Sequence, residues 1–458
     1  MRAFKIMDSD LSNRMDVGFY KPEKFSFFNE INNKENLVPL KDIILEGSYG
    51  ILPEGNSYNT DNPITLIRAT EMLTDFDIDF KSKIKVPIEY YRHERARLRK
   101  YDVLLAVKGA TIASEKSVTF VEDDIKDTII NGSIFRFQVK DGINPKYIAY
   151  MLSTKLLKRQ MKYNLIANNA VDYLSKDVIE SLLIPLPNKY IQDKIVEMLN
   201  EKYSERRKKL KEASYTYELI NSYIFDELGI CESMGEEKVC FSVSSTYMIG
   251  NRIDTNYYNQ KYLLFEKNLK DSKYKIDKLA NVITNISNGL DYRNFTDEGT
   301  LYLKVANIKP YKIITEGSAK IDLSVSDIVK DIKITKGDLL LTRKGTYGNC
   351  VYIDEDKDYI ISSEVFLIRV ADNMNGRYLE AILNSLIGKT QYEQVKIGAI
   401  MGSLSQEALK SINVPVPPKD IQDRIANHVK MFIDKVENLK DEAIVDIDKL
   451  IDESFKQM

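Results

Sequence analysis

Ile184-Pro185-Leu186-Pro187, followed shortly by Ile191-Gln192-Asp193-Lys194-Ile195, decides how this chain is organised. The same phrase returns as Val414-Pro415-Val416-Pro417 and Ile421-Gln422-Asp423-Arg424-Ile425, at a constant offset of 230 residues in a chain of 458. A period of half the chain is far longer than the roughly 20–50 residues of a solenoid unit. It marks a duplicated module: a globular part, a proline-marked stop and a long helix. Each Pro-x-Pro blocks helix upstream, because proline lacks a backbone donor and restricts its predecessor. Helices are therefore expected to begin near Asn188 and near Lys419-Asp420.

The duplication extends outward from these junctions. Arg14-Met15-Asp16, ending at Tyr20, is echoed by Arg252-Ile253-Asp254, ending at Tyr257-Tyr258. Lys100-Tyr101-Asp102-Val103-Leu104-Leu105 with Lys108-Gly109 is echoed by Lys336-Gly337-Asp338-Leu339-Leu340-Leu341 with Lys344-Gly345. Tyr147 and Leu152 are matched by Tyr378 and Leu383, and Leu174-Ser175 by Leu404-Ser405. The globular parts read as mixed α and β. Val103 to Val107 is a short apolar run entering a Lys-Gly turn, as a buried strand does. Ser133 to Val139 alternates like a half-buried strand, with Val365 to Val370 as its counterpart. Tyr147 to Tyr163 and Tyr378 to Gln394 read as helices.

The final element carries apolar residues at Ile421, Ile425, Val429, Phe432, Val436, Leu439, Ala443, Ile447 and Leu450, steps of three and four that define a coiled-coil seam. The first copy runs through Ile191, Ile195, Leu199, Tyr203, Leu210, Ala213, Tyr217, Ile220, Ile224 and Leu228, with Arg206 intruding in a core slot. The basic run Arg206-Arg207-Lys208-Lys209 is either a solvated face or a contact with a phosphate or an acidic partner. Gly229 ends this helix, which at 1.5 Å per residue is roughly 57 Å long. Neither helix can bury its stripe alone, and an antiparallel pair is expected.

Composition is that of a globular protein, with 43% hydrophobic and 29% charged residues. No stretch approaches the roughly 18 uncharged residues of a membrane span, and the opening Met1-Arg2-Ala3-Phe4-Lys5 lacks a signal-peptide apolar block. Cys231, Cys240 and Cys350 make no disulfide framework, which points to free thiols in a reducing cytoplasm. With only His93 and His428 beside them, no zinc site is expected. The net charge of −2 neither favours nor excludes nucleic acid, since basic residues can gather on one face. Gly388-Lys389-Thr390 resembles the end of a phosphate loop, but Leu383 stands where its first glycine is required and the segment reads as helix. Dinucleotide, metalloprotease, nucleophile-elbow and amino-methyltransferase motifs are absent. The pattern is that of a binder.

Two globular units, each closed by Pro-x-Pro and a helix opening Ile-Gln-Asp-Lys/Arg-Ile, resemble the specificity subunit of type I restriction–modification systems over essentially the whole chain. The resemblance implies an α+β fold: two similar mixed α/β target-recognition domains joined by two long antiparallel coiled-coil helices in a pseudo-twofold arrangement. It divides the chain into a first target-recognition domain at 1–187, a central spacer helix at 188–230, a second domain at 231–417 and a C-terminal spacer helix at 418–458. Each domain would read half of a split target in double-stranded DNA. The helices, marked by Ile191, Ile195, Leu210, Tyr217, Ile421, Ile425, Phe432, Leu439 and Ile447, would space the readers and dock two modification subunits. Those subunits, not this chain, would hold S-adenosylmethionine and methylate adenine; a motor-nuclease subunit is a further partner the family admits. No catalytic residue and no metal are expected here.

Sequence-specific reading needs Arg or Lys at guanine and Asn or Gln at adenine, with phosphate contacts adding salt-sensitive affinity. In the second domain the donors are Asn288 just before Gly289 and Tyr292 and Arg293 after it, then Lys304 and Asn307 around a strand end. Arg343, Lys344, Thr346, Tyr347 and Asn349 follow in a glycine-flanked turn. The matching places in the first domain are Tyr49-Gly50, Arg68, Thr70, Lys108 and Thr111. Thr111 and Ala113 replace Tyr347 and Asn349, so the half-sites should differ. Arg92, Arg95 and Arg99 belong to the densest basic run, read either as a phosphate clamp or as a charged surface helix. Two other readings stay open. A coiled-coil scaffold binding only proteins would not need the donor-rich turns. A fused restriction–methylation enzyme would need a catalytic domain.

Overall fold

A computed structural model describes residues 21–32, 36–81, 84–165, 172–232, 242, 255–322, 333–398 and 402–457. The Arg14 to Tyr20 and Arg252 to Asp254 echoes and Cys240 lie outside the described residues. Two compact units emerge, one of Met1–Arg207 with Ile444–Met458, the other of Lys208–Ala443. The division falls inside the helices because each helical stretch buries its stripe against one unit's own core.

The units repeat one strand plan. In the first, an antiparallel sheet runs Ile44–Tyr49, Ile134–Val139, Val103–Ala106, Val118–Phe120. In the second, the order is Ile283–Asn288, Val365–Val370, Leu339–Thr342, Cys350–Tyr352. Even the irregularity recurs, between Ile44 and Glu46 and between Ile283 and Asn285. A three-stranded sheet accompanies each: Ile64–Ile67 lies antiparallel to Lys85–Val86 and parallel to Thr128–Ile130, and Thr300–Leu303 likewise joins Ala319–Ile321 and Tyr359–Ile361. The Pro-x-Pro segments are themselves strands, Leu183–Pro185 pairing with Leu37–Pro39 and Asn413–Pro415 with Ile276–Lys278.

Four expectations need correction. Ile134–Val139 does not alternate: Ile134, Phe135, Arg136 and Phe137 are all buried, because both faces of the strand are covered. Arg136 survives there by donating to Asp102 Oδ2 at 2.9 Å and to Glu46 Oε1 at 2.8 Å. The stretches from Tyr147 and from Tyr378 each split into two helices, Pro145–Leu152 with Lys155–Tyr163 and Gly376–Asn384 with Leu386–Val395. Thr154 and Ser385 make the breaks, each accepting from a backbone N–H of the next helix. The basic run around Arg92 is not a surface helix but two short 3-10 turns, Ile88–Arg92 and Glu94–Ala96. The C-terminal helix is not continuous: Lys419–Glu442 stops, and Ile447–Gln457 restarts after Asp446 accepts from the Lys449 N–H at 3.2 Å.

The Ile-Gln-Asp phrase explains itself in these contacts. Asn144 caps Pro145–Leu152, while its own N–H donates to Gln192 Oε1 at 2.9 Å. Gln192 Nε2 donates to Pro187 O at 2.8 Å, and Asn144 Nδ2 to Asp193 Oδ1 at 2.7 Å. Asn375, Gln422, Pro417 and Asp423 repeat every one of these bonds. Tyr147 and Tyr378 complete the set by donating to the carbonyls of Pro185 and Pro415. The duplicated motif is thus a joint that ties helix start, proline strand and core helix together.

The helix Lys189–Leu228 finds antiparallel partners. Within the second unit, Arg424 pairs with Glu227 at 2.6 Å, Lys435 with Glu212 at 2.8 Å and Lys209 with Glu442 at 3.1 Å, rising numbers meeting falling ones. Ile220, Ile224 and Leu228 share a core with Ile425, Ala426 and Val429. Within the first unit, Ile195, Leu199 and Tyr203 pack with Ile447 and Ile451. Arg206 occupies its core slot by donating to Asp75 Oδ1 at 2.8 Å, so its acidic partner lies in this chain.

Candidate nucleic-acid interface

In each unit the same three chain segments converge. A glycine closes the first strand of the larger sheet, and a Cβ at Gly50 or Gly289 would run into the carbonyl of Ile130 or Ile361. Only glycine allows that approach. The next residues bridge in parallel, Ile51 to Asn131 and Leu290 to Ser362. The third segment is the Lys-Gly turn: Lys108 bridges Tyr173 and Lys344 bridges Ser403, and Gly109 and Gly345 follow in the left-handed region at φ 73° and 70°. The two lysines thus hold equivalent places, as the sequence echo predicts.

In the second unit this convergence forms an open cavity of about 420 Å³, lined among others by Tyr292, Arg293, Lys304, Arg343 and Lys344. Five of the sequence-predicted residues meet there. Asp291 and Glu364 share the wall. Arg293 lies 3.7 Å from Asp291 and Lys344 4.0 Å from Glu364, leaving these two cations loosely paired. The Lys304 ammonium sits 3.9 Å from the Phe295 ring centroid. Arg343 is held by its backbone, its N–H donating to Glu364 O at 2.9 Å and its carbonyl accepting from Leu404 at 2.8 Å. Its guanidinium lies 5.3 Å from the Phe366 ring centroid and makes a long hydrogen bond to Ser363 O at 3.4 Å, and its Nε is buried without an acceptor. The Ser362 hydroxyl, on the same wall, is also buried and without a partner.

The remaining predicted residues of this unit serve structure or stand apart. Asn307 is buried, accepting from the Lys304 N–H and donating to Ile314 O and Ser318 Oγ. Asn349 donates to Ile308 O at 3.1 Å. The Tyr347 hydroxyl bonds Glu393, and burial, followed by that bond, raises its pKa. Asn288 accepts from Gln406 at 3.2 Å, and Thr346 is exposed.

The first unit fills the equivalent place differently. Arg68 is locked onto Glu71, donating from Nε at 2.9 Å and from Nη2 at 2.7 Å, and Thr70 donates to the same carboxylate. These bonds outweigh burial and hold the Glu71 carboxyl below its ordinary range. Ser133 donates to Asn131, and Val107 stands where the second unit has Arg343. Thr111 turns back to Lys108 O at 3.1 Å. Arg99 pairs with Glu46 at 2.7 Å, whereas Arg92 and Arg95 are exposed with no ion pair among the described residues. Glu71 and Ser362 carry no signal in sequence: each is a lone residue whose role depends on a strand end brought from elsewhere.

Of the helix residues, Ile195, Ile425 and Ile447 are buried within the chain, and Ile191, Leu210, Tyr217, Ile421, Phe432 and Leu439 are half-buried. Their stripe faces inward, so the outer face is what the helices offer to other molecules. Among the described residues no group of three or more His, Cys, Asp and Glu could hold a metal, and no helix is long and apolar enough to cross a membrane.

Twin mixed α/β modules with donor-bearing turns at matching places, each joined to a long helix, define a duplicated recognition protein. The chain belongs to the type I restriction modification DNA specificity domain family, whose sequence profile matches residues 92–215 and 273–445. It is 24% identical over 438 residues to the "Putative type I restriction enzyme MjaX specificity subunit" of Methanocaldococcus jannaschii, covering 92% of each chain. Among solved structures it is similar to the S subunit of a type I restriction–modification system from M. genitalium, with 12% identity, a TM-score of 0.45 and coverage of 93% of this chain and 96% of that one. The HsdS subunit of Thermoanaerobacter tengcongensis matches with 16% identity, a TM-score of 0.33 and coverage of 91% and 94%. This is a family of non-catalytic recognition subunits that bind DNA and assemble with the other restriction–modification subunits.

Proposed function

We propose that this chain reads a bipartite DNA sequence, one half through each unit, and positions two modification subunits on it. Those subunits bind S-adenosylmethionine and methylate adenine, and a motor-nuclease subunit joins them to cut unmodified DNA. The complex works in the cytoplasm, where the DNA is. The observation that supports this reading is the pair of equivalent strand-end sites bearing different side chains, Arg68, Val107 and Asn131 in one, Lys304, Arg343 and Ser362 in the other. One scaffold presenting two different sets of donors suits two different half-sites. The paired helices act as spacer between the readers. The donor-rich cavity has no purpose in a scaffold that binds only proteins.

The test is to assemble the full chain with its modification subunits and map methylated adenines in the host genome by single-molecule sequencing. A split motif with a fixed gap is expected, and duplex binding that weakens steeply with salt. Replacing residues 1–187 by those of a relative should change one half of the motif only. Methylation without a split motif, or a change in both halves, would refute the reading.

A further inference from the structure

We propose that Arg343 is a specificity-determining residue that reads a guanine through the cavity of the second unit. This rests on the DNA-reading role above and adds which side chain and which base. The cavity is a built site with unmet hydrogen-bonding capacity: Arg343 Nε and the Ser362 hydroxyl are both buried, both without partners, and both on its wall. Ser362 is 94% buried, so the deficit does not come from a side chain idling in water. A buried donor without an acceptor is costly, and a ligand that supplies acceptors relieves it.

The chemistry of the wall selects the ligand. A phosphate would meet the carboxylates of Asp291 and Glu364 as well as the cations. Moreover, Arg293 and Lys344 already lie near those carboxylates. What remains is the Lys304 ammonium on the Phe295 ring, placed to meet a backbone phosphate of the same duplex. With it stand a guanidinium whose Nε lacks an acceptor, a hydroxyl that both donates and accepts, and the Tyr292 ring. The major-groove edge of guanine offers two adjacent acceptors, O6 and N7, which a guanidinium fork meets with two bonds. A hydroxyl beside it serves the neighbouring base in either sense. Because the Arg343 backbone is fixed at both its N–H and its carbonyl, the side chain starts from a defined position. In the first unit Val107 cannot do this, and the nearby Arg68 is already held by two bonds to Glu71. A guanine read this way therefore belongs to one half-site only.

The experiment uses the full complex with modification subunits and duplexes carrying its mapped motif. Each guanine of the motif is replaced in turn by 7-deazaguanine, which lacks the N7 acceptor. With the unaltered protein, one replacement in a single half-site should weaken binding about tenfold. With Arg343→Ala the same replacement should make no difference, and the methylated motif should lose that guanine while the other half stays intact. Arg343→Lys should restore the preference only in part, since an ammonium lacks the fork. Three results would overturn the proposal: no replacement affecting binding by the unaltered protein, an unchanged motif in Arg343→Ala, or a uniform loss across all sequences, which marks a phosphate contact. The deazaguanine series needs no variant to fold. A wild-type complex without any split motif would instead sink the DNA-reading role itself.

Discussion

The first and second units share every strand of the recognition sheets, yet they differ in what they bury and what they leave open. In the first, charge is internalised and closed: Arg136 with Asp102 and Glu46 in the core, Arg68 with Glu71 at the strand end. In the second, Leu367 takes the place of Arg136, and Arg343 with Lys304 faces an open cavity. The equivalent of Asp102 is Asp338, which accepts from Thr335 at 2.8 Å while Arg369 stands 3.8 Å away and 40% exposed. The scaffold thus tolerates opposite charge arrangements without changing topology. Recognition can diverge because the sheet's register, not its side-chain polarity, carries the fold.

The largest expected effect tests that contrast in the core. Asp102→Ala removes two of the bonds to Arg136, which is 98% buried, and leaves it Glu46 as its carboxylate partner; it should cost about 3 kcal/mol. Asp338→Ala removes hydrogen bonds to Thr335 but leaves Arg369 access to water, so roughly 1–2 kcal/mol is expected. Chemical denaturation of both variants checks this, and equal losses would remove the distinction between the units.

Glu380 sharpens the comparison next. It is buried beside Tyr311 and Arg377, accepts from the Tyr352 N–H at 2.8 Å, and corresponds to Ala149 in the first unit. Burial pushes its carboxyl up from 4.5 to about 8. The folded state therefore holds a proton that the unfolded chain has released. The stabilising contribution is complete below pH 4.5 and is lost as pH rises to about 8. Glu380→Gln should change little at pH 5 and raise stability at pH 8 by as much as about 4 kcal/mol. Melting temperatures across that range decide it, and a pH-independent difference would contradict the buried-carboxyl argument.

The helix joints are where the units should behave alike. Gln192→Ala and Gln422→Ala each leave a half-buried Asn N–H and a proline carbonyl without their side-chain partner. Each should cost about 1–3 kcal/mol, measured by thermal unfolding. A large difference between the two would show that the duplicated phrase has kept its spelling but not its role.

What the sequence made legible follows the same division. The Pro-x-Pro and Ile-Gln-Asp phrases could be read because their bonds recur at fixed spacing and use the same residue types in both copies. The break between Glu442 and Ile447 was hidden, since Ala443 and Ile447 preserve the seam spacing while Asp446 caps a new helix start. Of the predicted donors, Tyr292, Arg293, Lys304, Arg343 and Lys344 do converge. Asn307 and Asn349 do not join them, because their partners, Ile314 and Ile308, come from a hairpin whose path the local pattern does not reveal. Arg68 was legible as a cation but not as one already engaged, for Glu71 three residues on looks like any surface charge.

That engagement supplies the smallest and most discriminating prediction. Arg68 and Lys304 hold equivalent positions before the short turn that follows each central strand. Arg68 is tied by two bonds to Glu71, and freeing it to meet a phosphate would mean giving up a bidentate ion pair. Lys304 faces no such loss, since its ammonium rests on the Phe295 ring with no carboxylate within ion-pair distance among the described residues. In the assembled complex, Lys304→Ala should lower DNA affinity by about 1 kcal/mol and reduce the steepness of its salt dependence by roughly one phosphate contact. Arg68→Ala should leave that steepness unchanged, with its effect confined to stability through the unpaired Glu71. Titrations of a duplex at several salt concentrations distinguish the two variants. An equal drop in slope would mean that both strand ends meet the DNA backbone in the same way, and that the closed pair in the first unit opens when DNA arrives.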